Sequence, residues 1–266
     1  MGIINLTPDS FSDGGALPSL AAALAHAEHL VRAGAACLDV GGESTRPGAT
    51  AVAEVTELAR VMPFLQAARG RWPVPLSIDT RNPAVAAAAL AAGVQIVNDV
   101  SGLADPEMAA LVASSQAVVI LMHSPAAGLT LRSETAKALE PVTEIITAMA
   151  ALRDRALAAG IPRQHIWLDP GLGFGKDLQL NLALLAALPA LRALGQPLVL
   201  GPSRKRFLGA LVGGPPQARD AATAATCAVA AAAGVALLRV HNVAAVRDAL
   251  TVGGAIAAAA GHRPSC

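Results

Sequence analysis

The chain has 266 residues, which is long for an average domain but typical of one (β/α)8 barrel, for which about 250 residues is usual. Hydrophobic residues make up 54% of the sequence and aromatic residues only 2%, so a large core is possible and alanine, valine and leucine must fill it. The net charge of +1 argues against a broad nucleic-acid-binding surface, and no nucleic-acid partner is expected.

Short apolar runs, many of them rich in β-branched residues, recur along the chain and predict eight strands. The runs are Gly2–Ile4, Cys37–Val40, Val74–Ile78, Val94–Val97, Ala117–Met122, His165–Leu168, Pro197–Leu200 and Val235–Val240. Alanine-rich segments with helical character lie between them, including Leu20–Ala33, Ala51–Arg69, Val142–Ala159 and Ala218–Ala233. Continuously apolar strands are buried on both faces, and their alternation with helices indicates a parallel sheet. The pattern predicts the α/β class and a single (β/α)8 TIM barrel domain over residues 1–266, with its active site at the C-terminal mouth of the strands.

Local signals mark where several predicted helices begin or end. Ser19 is suited to cap the first helix, and Gly34 and Gly160 stand where a C-terminal glycine is expected. The window Leu180–Gly195 is compatible with one helix or with two. The window Ala221–Leu238 carries no charge, but its high alanine content favours a buried helix followed by a buried strand over a membrane span.

The cysteines and the amino terminus indicate the compartment. Three cysteines, Cys37, Cys227 and Cys266, are too few for a disulfide framework, and their spacing matches no zinc motif. The first residues carry no basic segment, and Asp9 and Asp13 would interrupt the apolar core of a signal peptide. A reducing cytoplasm, with no membrane partner, is therefore the simplest setting.

Each predicted strand ends on a polar residue, and this regularity is the main functional signal. In chain order the strand ends carry Asn5, Asp39, Asp79, Asn98 with Asp99, His123, Asp169, Ser203 with Arg204 and Lys205, and Arg239 with His241. In a barrel these positions converge on the C-terminal mouth, where active sites are built. One polar strand end is ordinary, but eight in succession predict a ring of acids, amides, cations and imidazoles around one cavity.

A glycine-rich loop follows the sixth predicted strand. Asp169 precedes Pro170, which disfavours helical geometry at the aspartate. The glycines that follow, Gly171, Gly173 and Gly175, allow sharp turns or a close approach of the backbone to a ligand. Their spacing fits neither the P-loop pattern nor the dinucleotide-binding pattern. Asp169 is therefore either a cap for the next segment or a ligand-binding carboxylate.

Two kinds of recognition chemistry are represented in the ring. The groups suited to a phosphate-type anion are Arg46, Arg204, Lys205, Arg239 and His241. Asp79, Asn98 and Asp169 offer carboxylates and an amide suited to the N–H groups and exocyclic amine of a flat heterocycle. A cation stacked on the face of such a ring, a role open to Arg239, adds roughly 0.5–2 kcal/mol.

Several of these residues also have a structural interpretation. Asp39 and Asp99 are expected to orient neighbouring groups, and Arg204 is equally suited to a structural ion pair. His123 follows an apolar strand and is either a core histidine or a ligand. Lys205 is compatible with simple hydrogen bonding and with Schiff-base formation of the aldolase type.

Longer stretches of the sequence resemble the signatures of dihydropteroate synthases. The longest are MGIINLTPDSFSDGG at residues 1–15, DVGGESTRPG at 39–48 and DPGLGFGK at 169–176. Shorter matches are SIDT at 77–80, VNDV at 97–100, LMH at 121–123, SRK at 203–205 and RVH at 239–241. The match is collinear over essentially the whole chain, and its longer motifs are highly specific.

The resemblance implies a transferase of folate biosynthesis that is a sulfonamide target, forms a homodimer and is assisted by Mg2+. It would condense 6-hydroxymethyl-7,8-dihydropterin diphosphate with p-aminobenzoate to give 7,8-dihydropteroate and diphosphate. Two alternatives remain: a pterin-binding paralogue without activity, and a methyltetrahydrofolate-binding barrel that passes a methyl group to a corrinoid. The opening signature and the stretch at 39–48 favour the synthase over both.

The resemblance also implies roles for individual side chains. The positions that match the family's pterin contacts are Asp79, Asn98, Asp169 and Lys205, with Arg239 stacking on the ring. Those around the diphosphate are Thr45, Arg46 and His241, with Asn5 at the magnesium position, and those around p-aminobenzoate are Phe174 and Pro47. The side chains expected to be catalytic are Lys205, Asp79, Arg239 and His241.

One short run and two single positions depart from the family pattern. The run after His123, Ser124–Gly128, lacks the sequence usual there, so the role of this loop is open. Arg206 stands where some members have serine near the p-aminobenzoate carboxylate, which a cation would also bind. Asn242 replaces a frequent aspartate, with no consequence evident from the sequence.

The division of the ring into two groups also predicts a mechanism. Acids and amides would face the heterocycle while cations surround the departing diphosphate, an arrangement that stabilises charge separation. We therefore expect the pterin C–O bond to break before the amine attacks. Mg2+ is expected to bind through diphosphate oxygens, water and Asn5, because this ion keeps several waters and favours phosphate partners.

Overall fold

A computed structural model describes residues 1–7, 19–44, 52–125 and 142–259. Its strands are β1 (Gly2–Asn5), β2 (Leu38–Gly41), β3 (Leu76–Asp79), β4 (Ile96–Asp99), β5 (Val118–Met122), β6 (Ile166–Asp169), β7 (Val199–Leu200) and β8 (Leu237–Leu238). Its helices are α1 (Leu20–Arg32), α2 (Glu54–Ala68), α3 (Pro83–Ala91), α4 (Pro106–Ser114), α5 (Val142–Ala158), α6 (Leu178–Ala186), α7 (Leu188–Arg192), α8 (Arg206–Val212), α9 (Asp220–Ala232) and α10 (Val243–Ala259). Short 3-10 turns at Arg163–His165 and Pro216–Arg219 precede β6 and α9.

The strands form a ring of parallel neighbours in sequence order. Strands β1 to β6 pair consecutively in one continuous sheet, and β7 pairs with β8. Isolated parallel bridges join the two parts, one between Leu168 and Leu198 and the other between Gly2 and Val240. The backbone N–H of Ile3 donates to the Val240 carbonyl at 3.1 Å beside the second bridge. The ring confirms the predicted α/β class and the (β/α)8 barrel.

All eight predicted strands are present, but the last two are shorter than their apolar runs. The runs Pro197–Leu200 and Val235–Val240 contain two-residue strands, because the ladder between β7 and β8 is only two residues long. Towards β6 and β1 each has one bridge, so the flanking apolar residues are buried without continuous pairing.

The predicted helix signals are confirmed where the structure describes them. The hydroxyl of Ser19 accepts a hydrogen bond from the N–H of Ala22 at 3.1 Å and so caps α1. Gly34 and Gly160 have φ values of 99° and 89°, in the left-handed region that follows many helices. The ambiguous window near Leu180–Gly195 contains two helices, because Pro189 lies in the first turn of α7 and could not continue α6.

The core lies between the strands and the surrounding helices. Among its largest fully buried side chains are Leu30, Phe64, Met108 and Ile145, each contributed by a different helix. A smaller apolar cluster that includes Cys37, Ile96, Ile120 and Val199 is contributed by the strands and their starts. The uncharged window Ala221–Leu238 is the predicted helix and strand, α9 and β8. Among the described residues, no helix is both long and apolar enough to cross a membrane.

Candidate active site

The parallel register brings the polar strand ends to one edge of the barrel. Asn5 pairs with Gly41, Gly41 with Asp79, and Asp79 with Asn98. Met122, the residue before His123, pairs with Asp169 in the same way. The ring of polar residues predicted at the C-terminal mouth therefore exists along the described strands.

An ion-pair network fills the centre of this mouth. The Nε of Arg239 donates to Oδ2 of Asp39 at 2.5 Å, and its Nη2 donates to Oδ2 of Asp79 at 2.7 Å. The side-chain amide of Asn98 donates to the same Asp39 oxygen at 3.2 Å. Asp39 is fully buried and holds Arg239 and Asn98 in place, which is the orienting role expected for it.

Burial shapes the charge of this network. It raises the pKa of Asp79 from its usual 3.8 to about 7, although the neighbouring Arg239 guanidinium opposes that shift. Burial alone would lower the pKa of Arg239, but the charges of Asp39 and Asp79 raise it instead. In the described part of the chain, Oδ1 of Asp39 and Oδ1 of Asp79 are buried without a hydrogen-bond partner. A buried acceptor of this kind is suited to the N–H groups of a bound ligand.

Asp169 caps a turn and also stands where its carboxylate could bind a ligand. Its Oδ1 accepts a hydrogen bond from the N–H of Gly171 at 2.7 Å, so it caps the turn after β6. Burial raises the pKa of this carboxyl, and the same Gly171 hydrogen bond opposes the rise. The side chain stands at the mouth beside β5, because Asp169 pairs with Met122 at the end of that strand. Both interpretations of Asp169 drawn from the sequence are therefore compatible with the geometry.

The glycine-rich loop is held by a lysine that sequence reasoning did not single out. Lys176 is buried, and its Nζ donates to the carbonyls of Gly171 and Phe174 at 3.1 and 3.2 Å, and to that of His123 at 3.4 Å. Gly171 has φ of 69°, and a Cβ there would lie 2.0 Å from the His123 carbonyl oxygen, so no other residue fits. The motif DPGLGFGK includes Lys176, but only the structure shows that its side chain points into the loop and binds the loop carbonyls.

Lys205 and Phe174 meet across two loops of the mouth. The Nζ of Lys205 lies 4.1 Å from the centroid of the Phe174 ring, within the range of a cation–π contact. Gly173 lies alongside, and a Cβ on it would approach Cδ of Lys205 to 3.0 Å. Lys205 is also the last residue before α8.

His241 and Ser203 join the loops after β7 and β8. The Oγ of Ser203 lies 2.9 Å from Nδ1 of His241 and also accepts from the backbone N–H of His241 at 3.1 Å. These two contacts hold the imidazole beside the loop after β7. The contact joins two of the polar strand ends of the predicted ring, and it could not be foreseen from the sequence.

Asp99 and Arg204 have the structural roles that the sequence left open for them, and His123 is a buried histidine. Asp99 accepts from the N–H groups of Ser101 and Leu103, both at 2.8 Å, and orders the loop after β4. Arg204 forms an ion pair with Asp220. His123 is buried, and burial followed by the charge of Lys176 lowers its pKa to about 4, so it stays neutral at physiological pH.

Not every predicted site residue can be placed. Thr45, Arg46 and Pro47 lie outside the described residues, as does most of the loop after His123. Asn5 is half-buried at the end of β1. The sequence predicts Arg239 among the cations around the diphosphate. Its guanidinium instead forms ion pairs with Asp39 and Asp79, so it lies among the acidic residues expected to face the heterocycle.

Comparison with known proteins gives consistent results. A family described as "Pterin binding enzyme" matches residues 1–241. A dihydropteroate synthase of Streptococcus pyogenes is 43% identical over 256 residues, which covers 95% of this chain and 93% of the relative. The Yersinia pestis dihydropteroate synthase in a sulfonamide drug complex has a TM-score of 0.90 and 39% identity, covering 97% of this chain and 93% of that one. The Xanthomonas albilineans enzyme in complex with 7,8-dihydropteroate has a TM-score of 0.85 and 42% identity, covering 97% and 92%.

Proposed function

We propose roles for the residues at the mouth of this chain, which belongs to the pterin binding enzyme family and is a dihydropteroate synthase. It condenses 6-hydroxymethyl-7,8-dihydropterin diphosphate with p-aminobenzoate to give 7,8-dihydropteroate and diphosphate in folate biosynthesis. The observation that carries this conclusion is the 43% identity over 95% of the chain. The residue roles below rest on the geometry of the mouth.

The heterocycle of the pterin would be recognised by the acidic group. Asp79 and Asp169 are buried carboxylates, and Asn98 presents an amide between them in the ring of strands. The unpartnered Oδ1 of Asp79 would accept an N–H of the ligand, which removes the cost of leaving it buried and unpaired. Arg239 would stack on the ring face while its edge stays bound to Asp39 and Asp79.

The diphosphate and the second substrate would lie on the side of Lys205 and His241. Lys205 would contact the pterin from beside Phe174, and His241 with Thr45 and Arg46 would neutralise the diphosphate. Phe174, with Pro47 and the first turn of α8, would surround p-aminobenzoate. Arg206 is the first residue of that helix and is exposed, and its guanidinium would bind the p-aminobenzoate carboxylate.

The reaction would proceed by dissociation. The bond between the pterin methylene carbon and the diphosphate oxygen breaks first, and its electron pair leaves with the diphosphate. The carboxylates of Asp79 and Asp169 stabilise the resulting cationic pterin, because preorganised charges act most strongly where charge develops. The amine nitrogen of p-aminobenzoate then attacks the methylene carbon and loses a proton. A neutral arylamine needs no strong base before this attack.

Mg2+ is a proposed cofactor, and the donor set at the mouth fits a partly hydrated ion. Asn5 offers a hard amide oxygen at the end of β1, in the row that continues through Gly41 to Asp79. Among the described residues, no group of three or more histidine, cysteine, aspartate or glutamate side chains could hold a metal ion. The bound ion would supply charge neutralisation for the diphosphate, with Asn5, water and diphosphate oxygens as its partners.

The proposed partner is a second copy of the chain, and α9 with α10 offers the surface. These helices pack together, and Val229, Val252 and Ile256 expose 63%, 60% and 66% of their surface there. Pairing this face with its symmetry mate would remove apolar area from water. Sedimentation of V252E/I256E should show a monomer, while V55E, at an exposed valine on α2, should leave the dimer intact. Dimers in both variants would refute the surface.

A single domain over residues 1–266 and a cytoplasmic location are the remaining proposals. The (β/α)8 ring uses strands from both ends of the chain, since Gly2 pairs with Val240. Cys37 and Cys227 are free and buried, as is usual in a reducing compartment.

The experiment that tests the function measures diphosphate release in a coupled assay with Mg2+ and both substrates. Release should depend on p-aminobenzoate at steady state, and dihydropteroate should accumulate in equal amount. Binding of the pterin without any turnover would indicate an inactive paralogue and overturn the assignment.

A further inference from the structure

A mostly buried ion pair joins the loop after β7 to the start of α9. The Nε and Nη2 of Arg204 donate to Oδ1 and Oδ2 of Asp220 at 2.7 and 2.9 Å. The two side chains expose 27% and 22% of their surface, so solvent screens the pair only in part. The hydrogen bond from Arg204 lowers the pKa of Asp220, which therefore stays charged at physiological pH. Two parallel hydrogen bonds fix the guanidinium in one orientation.

The backbone of Arg204 needs this restraint. Its φ is 59°, and Leu103 is the only other non-glycine residue with positive φ in the described chain. The left-handed region is strained for an arginine, so surrounding contacts must hold it there. The hydroxyl of Thr223 accepts from the N–H of Arg204 at 3.1 Å, and Nη1 of Arg219 donates to the carbonyls of Arg204 and Lys205 at 3.3 and 3.4 Å. These contacts hold the backbone of Arg204 and Lys205 on both sides of the peptide bond that joins them.

The same carboxylate also reaches the loop after β8. The amide Nδ2 of Asn242 donates to Oδ2 of Asp220 at 2.9 Å, so this oxygen accepts from Asn242 and Arg204 together. The Oδ1 of Asn242 accepts from the N–H of Ala245 at 3.1 Å and caps the start of α10. Asn242 follows His241 directly, so its fixed position also fixes the backbone of the histidine.

We infer that Asp220 is a positioning residue that sets the Lys205 ammonium and the His241 imidazole relative to each other without touching substrate itself. This inference rests on the proposed roles of Lys205 and His241. It also accounts for the amide at position 242. An aspartate there would place a second carboxylate against Asp220, whereas Asn242 donates the hydrogen bond that joins the two loops.

The test exchanges the carboxylate and the amide of the hydrogen-bonded pair Asp220 and Asn242. In D220N the charge on α9 is lost, and in D220N/N242D it is returned on the other side of the same contact. We expect D220N to lower kcat tenfold or more, because two groups at the mouth lose their relative position. The double variant should recover kcat only in part, because N242D restores the charged contact between the two loops but the amide introduced by D220N cannot accept both hydrogen bonds from Arg204.

A purely structural role gives different results. D220N that melts at a lower temperature but keeps kcat within twofold of the wild type would overturn the inference, as would a double variant no faster than D220N. D154N, which removes an exposed carboxylate paired with Arg153, is the matched control and should change neither quantity. If D220N does not yield folded protein, N242A takes its place, since it keeps the Arg204 pair. A threefold or larger loss of kcat in N242A then supports the inference, and an unchanged kcat overturns it.

Hydrogen exchange separates this inference from the proposed function. Backbone amides at residues 203–206 and 241–245 should exchange faster in D220N, and this readout needs no turnover. Wild-type protein that releases no diphosphate with both substrates would refute the function alone. Exchange in D220N that matches the wild type at these amides would refute the positioning role alone.

Discussion

Nη2 of Arg239 lies 2.7 Å from Oδ2 of Asp79, and this ion pair joins β8 to β3 through the interior of the barrel. The two strands are not neighbours in the ring, so no backbone hydrogen bond links them. The pair therefore ties the two-stranded part of the barrel to the six-stranded part at the mouth, where the pterin is proposed to bind.

The first prediction concerns how Asp79 affects the stability of the protein as the pH changes. Burial raises the pKa of Asp79 from 3.8 to about 7, so between these values the folded protein keeps a proton that the unfolded chain has released. The contribution of Asp79 to the free energy of unfolding therefore falls as pH rises from about 4 to about 7, and is level above that window. D79N should gain stability relative to the wild type from pH ~5 to pH ~8 in urea unfolding. D248N, at an exposed carboxyl, should not, and a difference that stays constant with pH in D79N would contradict the prediction.

The second prediction separates the two roles of Asp169. D169N keeps an oxygen that can accept from the N–H of Gly171 but loses the charge, while D169A loses both. Calorimetry should show pterin binding weaker by about 1–3 kcal/mol in D169N, because a ligand donor loses its ionised partner. D169A should lose more affinity and also stability. Unchanged pterin affinity in D169N would leave Asp169 as a cap only.

The third prediction contrasts the two lysines of the mouth. K176M leaves up to three backbone carbonyls without their donor and should lower the free energy of unfolding by about 2–5 kcal/mol. K205M should lower activity with little loss of stability, since Lys205 contacts the ring of Phe174 at the mouth. Denaturant unfolding and steady-state kinetics of both variants would decide. Equal destabilisation by the two substitutions is the result that counts against this assignment.

The fourth prediction concerns the proposed metal. Mg2+ should bind the free protein weakly, because Asn5 alone cannot replace the waters of a hard ion. Titration calorimetry should show much tighter binding once diphosphate is present. N5A should raise the Mg2+ concentration needed for half-maximal activity without changing the KM of p-aminobenzoate. Tight binding of Mg2+ in the absence of diphosphate would require a protein site that this arrangement does not supply.

The fifth prediction tests the order of bond breaking. Enzyme incubated with Mg2+ and the pterin diphosphate, without p-aminobenzoate, should release diphosphate slowly or exchange labelled oxygen between the bridging and non-bridging positions of the diphosphate. Both results follow from a cationic pterin held by Asp79 and Asp169 before the amine attacks. A complete reaction that runs normally while neither signal is detected would favour a concerted displacement.

The sequence was sufficient for the fold because its signals are local. Each apolar run, such as Val94–Val97, carries its own strand propensity, and the glycine after a helix, such as Gly34, carries its own backbone preference. The ring of polar strand ends followed from these, since parallel strands place their ends together. Asp99 and Arg204 could be given a structural role by the same reasoning.

The contacts inside the site could not be predicted in this way. Asp39 and Arg239 are 200 positions apart, and no periodicity indicates that one holds the other. The inward turn of Lys176 depends on three carbonyls that only the folded loop brings together. The strand lengths of β7 and β8 likewise depend on how many neighbours each finds in the closed ring.

The isolated bridges of the ring have a consequence for how ligand binding and local unfolding are coupled. Lys205, Arg239 and His241 follow the β7–β8 pair, whereas Asp79 and Asp169 belong to the six-stranded sheet. A pterin bound by both groups, as proposed above, would span the isolated bridges at Leu168 and Gly2, where the backbone pairing is sparsest. Opening of the ring there would require the ligand to dissociate first, so occupancy raises the free energy of that opening. A bound substrate would therefore protect the amides beside these two bridges from hydrogen exchange.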